Sequence, residues 1–321
     1  MAIPFYRLMR AAVVFAAMIL MTGGCDRQRP SGVRKPVIAA SIFPVANLVQ
    51  QLTGDWADLA TLLPASQSPH DAELPPDQLR LLARADAVVV VGLGLDPWAE
   101  KAVAALGDTH QSVIRFGDLI AGATASGDSA RHEIAGASAP KNNHLWLDPV
   151  LTIKFVEGLS TQLKGRYPEH ADAIAAATKR LTADLHRIDQ EYAVQLAAVP
   201  EKRLITYHNA FDLIAERYGL QIVVRLTDIE SSPGGEVTPD RIREAIEAIQ
   251  KYKLKTLYAE PEFPDQVIAR LHEETGAEVL TLDPQGNPSV AGFRTYQEMM
   301  RSNLATLVKG QGGSLPSSQI K

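Results

Sequence analysis

The 321-residue sequence contains one cysteine, Cys25, so no disulfide bond can form within the chain. It has no long run of like charge, and its net charge of −5 lacks the basic excess that binding to nucleic acid phosphates requires. Neither the H-E-x-x-H motif of zinc hydrolases nor the G-x-S-x-G nucleophile elbow occurs. We therefore expect no nucleic acid partner. The sequence also lacks the motifs that define two common classes of hydrolase.

Residues 1–24 have the order of a secretory signal peptide. Arg7 and Arg10 precede an apolar core, AAVVFAAMILM, that is too short to span a bilayer comfortably. Cys25 follows and resembles the acylated cysteine of a bacterial lipoprotein, although Thr22 stands where such sites usually carry leucine. We expect export to the periplasm or cell surface, with lipidated Cys25 holding the chain at a membrane. A soluble secreted form and an uncleaved membrane anchor are the alternatives.

After a polar tether at residues 25–36, short apolar runs alternate with helical patterns, which predicts an α/β fold. The alternation occurs twice, and each occurrence predicts a lobe with a mostly parallel β-sheet flanked by helices. Between the lobes, a run without internal glycine or proline predicts one rigid helix longer than about 40 Å. The expected divisions are an N-terminal lobe at 37–167, a connecting helix at 168–199, a C-terminal lobe at 200–310 and a flexible tail at 311–321.

Local signals support several individual elements. The continuous run AVVVV at 87–91 predicts a strand buried on both faces. Asp96 and Asp148 are each followed by proline, which predicts that both are N-caps of helices. Residues 117–143 are rich in Gly, Ala and Ser and interrupt the alternation, which predicts a long surface loop.

Three of the eight histidines lie where an open parallel sheet places its ligands. His208 directly follows the predicted strand RLITY, His70 lies in the loop after the second predicted strand, and His144 lies in NNHLWLDP. Asp283 ends the last predicted strand, and ligands of such sheets bind beyond the carboxyl ends of strands. Together these residues could form a shell of three nitrogens and one oxygen that suits Zn²⁺. Each of them alone is more often an ordinary loop or cap residue.

The other histidines are better explained as solvated surface residues. His110 and His132 flank or occupy the predicted long loop, without the spacing of a metal site. His170, His186 and His272 lie on predicted helices, where exposure to solvent accounts for them.

From about residue 36 to 310 the chain resembles the solute-binding proteins of bacterial zinc and manganese uptake ABC transporters, the cluster A-I family. The stretches SPHDAEL, GLGLDPWAEK, NNHLWLDP, TYHNAFDLIAERYGL and TLDPQG are similar to that family's motifs and follow its order. The resemblance implies two lobes joined by a rigid helix, with a metal held between them by His70, His144, His208 and Asp283. It also implies a zinc-type site, because His208 stands at the third ligand position, where zinc-type members of the family have histidine and manganese-type members have glutamate. Mn²⁺ or Fe²⁺ is the alternative.

Neighbours of the predicted ligands have further candidate roles. Glu73, Asn143 and Asp148 are close enough in sequence to orient the imidazoles through their distal nitrogens. Trp98 and Trp146 are predicted to form core or the wall of the cleft, because indole rings bury a large apolar area.

The expected function is high-affinity binding of a divalent metal outside the cytoplasm, with Zn²⁺ favoured. The metal would be delivered to the membrane permease of an ABC transporter, which works with a cytoplasmic ATPase. We expect a monomer without enzymatic activity. A secreted zinc hydrolase, a binder of a larger metal chelate and a surface adhesin are the alternatives. Residues 117–143 lack the His- and Asp-rich composition of many zinc members, which argues against an auxiliary metal-scavenging role.

Overall fold

The computed structural model describes residues 34–65, 67–107, 111–121, 142–227, 236–263 and 265–315. The chain divides into two units, residues 1–35 and 36–321, and the structure below is that of the second unit. The signal peptide, Cys25 and most of the tether lie outside the described residues, as do His110, His132 and most of the predicted loop. No helix in the described ranges is long and apolar enough to cross a membrane.

The N-terminal lobe contains a four-stranded parallel sheet with strand order β2-β1-β3-β4. Its central strand β3 is buried along its whole length, as the β-branched run predicts. The sequence does not predict the last strand of this sheet or the short helix that follows it. It predicts instead a loop that begins at residue 117. The elements of this lobe are β1 (Val37–Ala40), α1 (Phe43–Thr53), β2 (Asp58–Thr61), α2 (Pro76–Ala83), β3 (Ala87–Val90), α3 (Pro97–Ala105), β4 (Ser112–Arg115) and α4 (Phe116–Ile120).

The C-terminal lobe has two parallel strand pairs, β5–β6 and β7–β8, and β5 lies beside β7. The four strands thus lie in the order β6-β5-β7-β8, which corresponds to the order in the N-terminal lobe, although the two pairs form separate two-stranded sheets. The elements are β5 (Arg203–Thr206), α7 (Asp212–Tyr218), β6 (Gln221–Arg225), α8 (Pro239–Tyr252), β7 (Thr256–Ala259), α9 (Asp265–Thr275), β8 (Glu278–Thr281) and α10 (Tyr296–Gly310).

Two long helices, α5 (Pro149–Arg166) and α6 (Ala171–Ala198), connect the lobes. With 28 residues, α6 is about 42 Å long. It packs against α5, α1 and α10, so it contacts helices that belong to both lobes. Its buried residues recur at helical spacing: Ile174, Ala177, Leu181, Leu185, Ile188, Tyr192 and Leu196. The Tyr192 hydroxyl donates a hydrogen bond of 2.6 Å to the Met300 carbonyl oxygen, which ties α6 to α10.

The two predicted aspartate caps differ in the structure. Asp148 is a cap, since its Oδ1 accepts hydrogen bonds from the Val150 and Leu151 N–H groups at 2.9 and 3.2 Å. Asp96 does not cap α3 with its side chain. Its buried carboxylate instead accepts hydrogen bonds from the Val91 and Gly92 N–H groups at 2.7 and 2.9 Å. The turn after β3 folds back onto the carboxylate, so Asp96 occupies the predicted N-cap position before Pro97 but does not cap the helix through its side chain.

Candidate metal centre

His208 lies at the carboxyl end of β5 and is fully buried. Its Nδ1 is 2.7 Å from Oε2 of Glu260, although the angle departs from that of a good hydrogen bond. The His208 backbone N–H donates to Oε1 of the same carboxylate at 3.2 Å. Glu260 directly follows β7, and β5 lies beside β7, so the packing of these two strands brings the two residues together.

His144 is also buried and lies just before the short 3₁₀ turn Leu145–Leu147. Oδ1 of Asn142 accepts from the His144 backbone N–H at 2.8 Å and lies 3.0 Å from its Nδ1. The Asn142 side chain donates to the carbonyl oxygen of Asn209, the residue after His208. Asn142 therefore orients His144 and links it to the C-terminal lobe.

His70 reaches the same place from the segment after β2 and is only partly buried. The Trp98 indole N–H donates to the carbonyl oxygen of Pro69 at 2.7 Å, which holds the backbone next to His70. Trp98 is half-buried and lines a cavity of about 570 Å³ beside His70.

The three imidazoles converge through their Nε2 atoms. Nε2 of His144 is 3.2 Å from that of His70 and 3.1 Å from that of His208. A tetrahedral zinc site with Zn–N bonds of 2.0–2.1 Å requires nitrogens about 3.3–3.4 Å apart, which is close to this spacing. Acceptors near Nδ1 of His144 and of His208 favour a proton there, so their Nε2 lone pairs face each other. A shared cation stabilises such an arrangement.

The protonation of the three histidines differs because their surroundings differ. Burial, helped by repulsion from His208, lowers the pKa of His70 to about 4. The same two causes, with repulsion from His70 added, lower the pKa of His144 well below its usual value. Burial also acts to lower the pKa of His208, but the charge and contact of Glu260 outweigh it, and the net shift is upward. At neutral and mildly acidic pH, the lowered pKa values therefore keep the imidazoles of His70 and His144 neutral, with lone pairs that a metal could use.

Asp283, the fourth predicted ligand, follows β8 and is not a member of the group of mutually close ligand-type atoms that the three imidazoles form. In the described residues, the groups of ligand-type atoms within 4.8 Å of one another are His70–His144–His208 and His208–Glu260–Glu262. Oδ1 of Asp283 accepts from the Gln285 and Gly286 N–H groups at 2.9 and 2.8 Å. Burial, opposed by these two hydrogen bonds and supported by the charge of Glu260, raises its pKa.

The residues that orient the histidines are not the ones the sequence predicted. Glu73 is exposed on the cavity beside His70, and Oδ1 of Asn143 is buried without a hydrogen-bond partner in the described ranges. Asp148 caps α5 and pairs with Arg217 at 2.6 Å, so its carboxylate is occupied away from the imidazoles. The structure gives these roles to Asn142 and Glu260. Glu260 could have been found from the sequence, because it ends the predicted strand KTLYAE, much as His208 directly follows the predicted strand RLITY.

Trp146 forms a wall of the site, as predicted. It is completely buried, and the centroids of its ring and the His144 ring are 5.3 Å apart. Its indole N–H donates to the Pro284 carbonyl oxygen at 2.6 Å, and its own carbonyl oxygen accepts from the Tyr296 hydroxyl at 2.6 Å. These contacts fix the loop of His144 against the C-terminal lobe.

Comparisons with known proteins agree with this architecture. The sequence profile of ZnuA, the periplasmic component A of zinc-uptake complexes, matches residues 38–310. Zinc-binding protein AdcA of Streptococcus pyogenes is 26% identical over 288 residues, 85% of this chain and 55% of that protein. A putative metal-binding protein of Thermotoga maritima is 26% identical over 271 residues, 84% of this chain and 91% of that protein. The chain thus spans about half the length of AdcA.

A solved structure has the same fold. The periplasmic zinc-binding protein TroA from Treponema pallidum superposes with a TM-score of 0.74 at 20% identity, covering 86% of this chain and 99% of TroA. The two-lobed arrangement around long connecting helices is therefore a fold shared with known periplasmic binding proteins.

Proposed function

Because the chain belongs to the ZnuA family, whose profile matches residues 38–310, we propose that it binds Zn²⁺ outside the cytoplasm and delivers it to an ABC transporter. The observation that carries the proposal is the convergence of three Nε2 atoms from both lobes, 3.1 and 3.2 Å apart. This spacing matches tetrahedral zinc and uses nitrogen ligands, which favour Zn²⁺ over Mn²⁺. Mn²⁺ or Fe²⁺ is the alternative cargo.

We propose that Asp283 supplies the fourth ligand. Its Oδ1 is held by two backbone N–H groups, while its Oδ2 has no hydrogen bond to another described residue. A carboxylate in this position would close the coordination sphere that a catalytic zinc leaves open. A closed site of this kind would bind the metal without catalysing a reaction. A secreted hydrolase is therefore the disfavoured alternative.

The remaining parts of the proposal concern location and partners. We propose a signal peptide at residues 1–24, an acyl anchor on Cys25 and a tether to residue 36. The lobes would then lie at 37–167 and 200–310, and the partner would be a membrane permease that a monomer meets at the membrane surface. The pneumococcal relative named a zinc-binding lipoprotein, 26% identical over 290 residues, supports the acyl anchor.

A metal titration tests the site. Chelator-stripped protein is titrated with Zn²⁺ and with Mn²⁺ while bound metal is counted. We expect one tight zinc ion per chain, lost in His208→Ala and in His144→Ala, and weakened in Asp283→Asn. His186→Ala is the matched control, because His186 is exposed on α6 and should leave binding unchanged.

Two outcomes would change the proposal in different ways. Zinc binding that is equal in the wild type and His208→Ala would remove the ligand assignment. Tighter binding of Mn²⁺ than of Zn²⁺ would overturn the choice of metal and leave the fold and the transport role in place.

A further inference from the structure

Two hydrogen bonds hold the backbone that carries His70, one from each lobe. On the N-terminal side, the Trp98 indole N–H donates to the Pro69 carbonyl oxygen at 2.7 Å. On the C-terminal side, the Gln285 side-chain amide donates to the Gln67 carbonyl oxygen at 2.9 Å. Among the hydrogen bonds of the described residues, the one from the Gln285 side chain thus ties the backbone of the His70 segment, residues 67–70, to the C-terminal lobe.

The side-chain amide nitrogen of Gln285 donates two hydrogen bonds. The same Nε2 donates to Oε2 of Glu262 at 2.7 Å, so both of its hydrogens have acceptors. Its backbone N–H donates to Oδ1 of Asp283, and the residue is 2% exposed. Glu262 in turn belongs to the compact group with His208 and Glu260. A continuous line of contacts therefore runs from the His70 segment to the region of His208.

The exposure of the three histidines indicates where the metal enters and leaves. His144 and His208 are 1% and 0% exposed, whereas His70 is partly exposed beside the cavity of about 570 Å³. Solvent therefore reaches the site on the side of His70. Withdrawal of His70 together with its segment would break the bond from Gln285.

We propose that Gln285 is a positioning residue that fastens the His70 segment to the C-terminal lobe and limits the rate at which the metal leaves. This inference rests on the proposed function, because it assigns a kinetic role at the proposed zinc site. Gln285 itself would not touch the metal. It acts through His70, by keeping the third imidazole in place after the metal has bound.

Gln285→Met tests the proposal, because methionine keeps the length and removes both donors. Zinc dissociation into excess chelator is followed by stopped flow. We expect release about tenfold faster than in the wild type, as loss of one or two hydrogen bonds allows, with one zinc ion still bound per chain. Gln190→Met, an exposed change on α6, is the matched control and should release zinc at the wild-type rate.

A second measurement separates positioning from a general loss of stability. In zinc-loaded Gln285→Met, the amides of residues 67–73 should exchange with deuterium faster than in the wild type, while those of α6 stay unchanged. If Gln285→Met does not fold, Gln285→Asn replaces it, because asparagine keeps the amide but is one methylene shorter.

The outcomes distinguish this inference from the proposed function. Stoichiometric zinc binding with a release rate and segment exchange equal to the wild type would overturn the role of Gln285 alone. Absence of zinc binding in the wild type would overturn the proposed function. Exchange of residues 67–73 in the metal-free protein would then still decide whether Gln285 holds the segment.

Discussion

At the scale of single residues, the three histidines have different tasks because their partners differ. His144 faces the neutral amide of Asn142, and His208 faces the carboxylate of Glu260. A carboxylate next to Nδ1 increases the basicity of Nε2 and makes it a stronger metal ligand. The same carboxylate raises the pKa of His208, so a proton competes with the metal most effectively there.

The dependence of zinc affinity on pH follows from these shifts. As the pH falls, His208 takes up a proton before an ordinary histidine would, whereas His70 stays neutral until about pH 4. Between about pH 6.5 and 5 one imidazole competes, so affinity should fall about tenfold per pH unit. Competition titrations with a coloured chelator measure this slope.

Glu260→Gln is the control for this prediction, because it removes the charge that raises the His208 pKa. The acid limb of the affinity profile should then move to lower pH. A slope of two or three powers of ten per pH unit in the wild type would contradict the single competing imidazole.

The pair of asparagines before His144 provides a further residue-scale prediction. Asn142→Leu removes the acceptor for the His144 backbone N–H and for its ring. Loss of such an orienting partner should weaken zinc binding about 10- to 100-fold. Asn143→Ala is the matched control and should bind zinc as the wild type does, in a titration by calorimetry. The reverse result would show that Asn143 orients the imidazole.

At the scale of elements, α5 begins at a residue that has two separate interactions. One oxygen of Asp148 caps the helix, and the other pairs with Arg217 at 2.6 Å. Asp148→Ala should lower the free energy of unfolding by about 2 kcal/mol, because it removes both interactions. Asp148→Asn keeps a capping oxygen and should cost about half as much. Denaturant unfolding measures both, and an unchanged stability of Asp148→Ala would contradict this account.

The sequence predicts those elements whose signals are local. Thr238 followed by Pro239 predicts the start of a helix, and the Thr238 side chain accepts a hydrogen bond from the Arg241 N–H at the start of α8. The buried run of β3 and the uninterrupted helix α6 are equally evident. The strand β4 has four residues and only one fully buried position, so no period of two appears in its sequence. It becomes a strand by pairing with β3, which is a tertiary effect.

In the candidate site, too, some residues can be predicted from local sequence signals and others depend on tertiary contacts. His208 and Asp283 follow the strands β5 and β8, as the sequence predicts, and the rule that ligands follow parallel strands also points to Glu260 after β7. It cannot decide which of two adjacent asparagines turns toward His144, because that depends on the path of the loop. The role of Gln285 depends on a contact with Gln67, 218 residues away, and no pattern in the sequence indicates it.

At the scale of the whole molecule, the proposed site joins both lobes, so metal should stabilise the entire fold. Zinc that binds only the folded state at 100 times its Kd adds about 2.7 kcal/mol to the free energy of unfolding. Removal of the metal with a chelator should therefore lower the melting temperature of the wild type and leave that of His208→Ala unchanged. Calorimetric melting with and without chelator measures this, and equal shifts in both proteins would contradict it.

The three histidines are 74 and 64 residues apart along the chain, and this spacing has a consequence for the newly made polypeptide. An unfolded chain offers single, separated imidazoles, because no two of its histidines lie closer than 12 residues in the sequence. Synthesis must pass residue 208, and both lobes must form, before the ion finds more than one nitrogen at a time. We expect the nascent protein to travel without cargo and to acquire its metal only as a finished molecule.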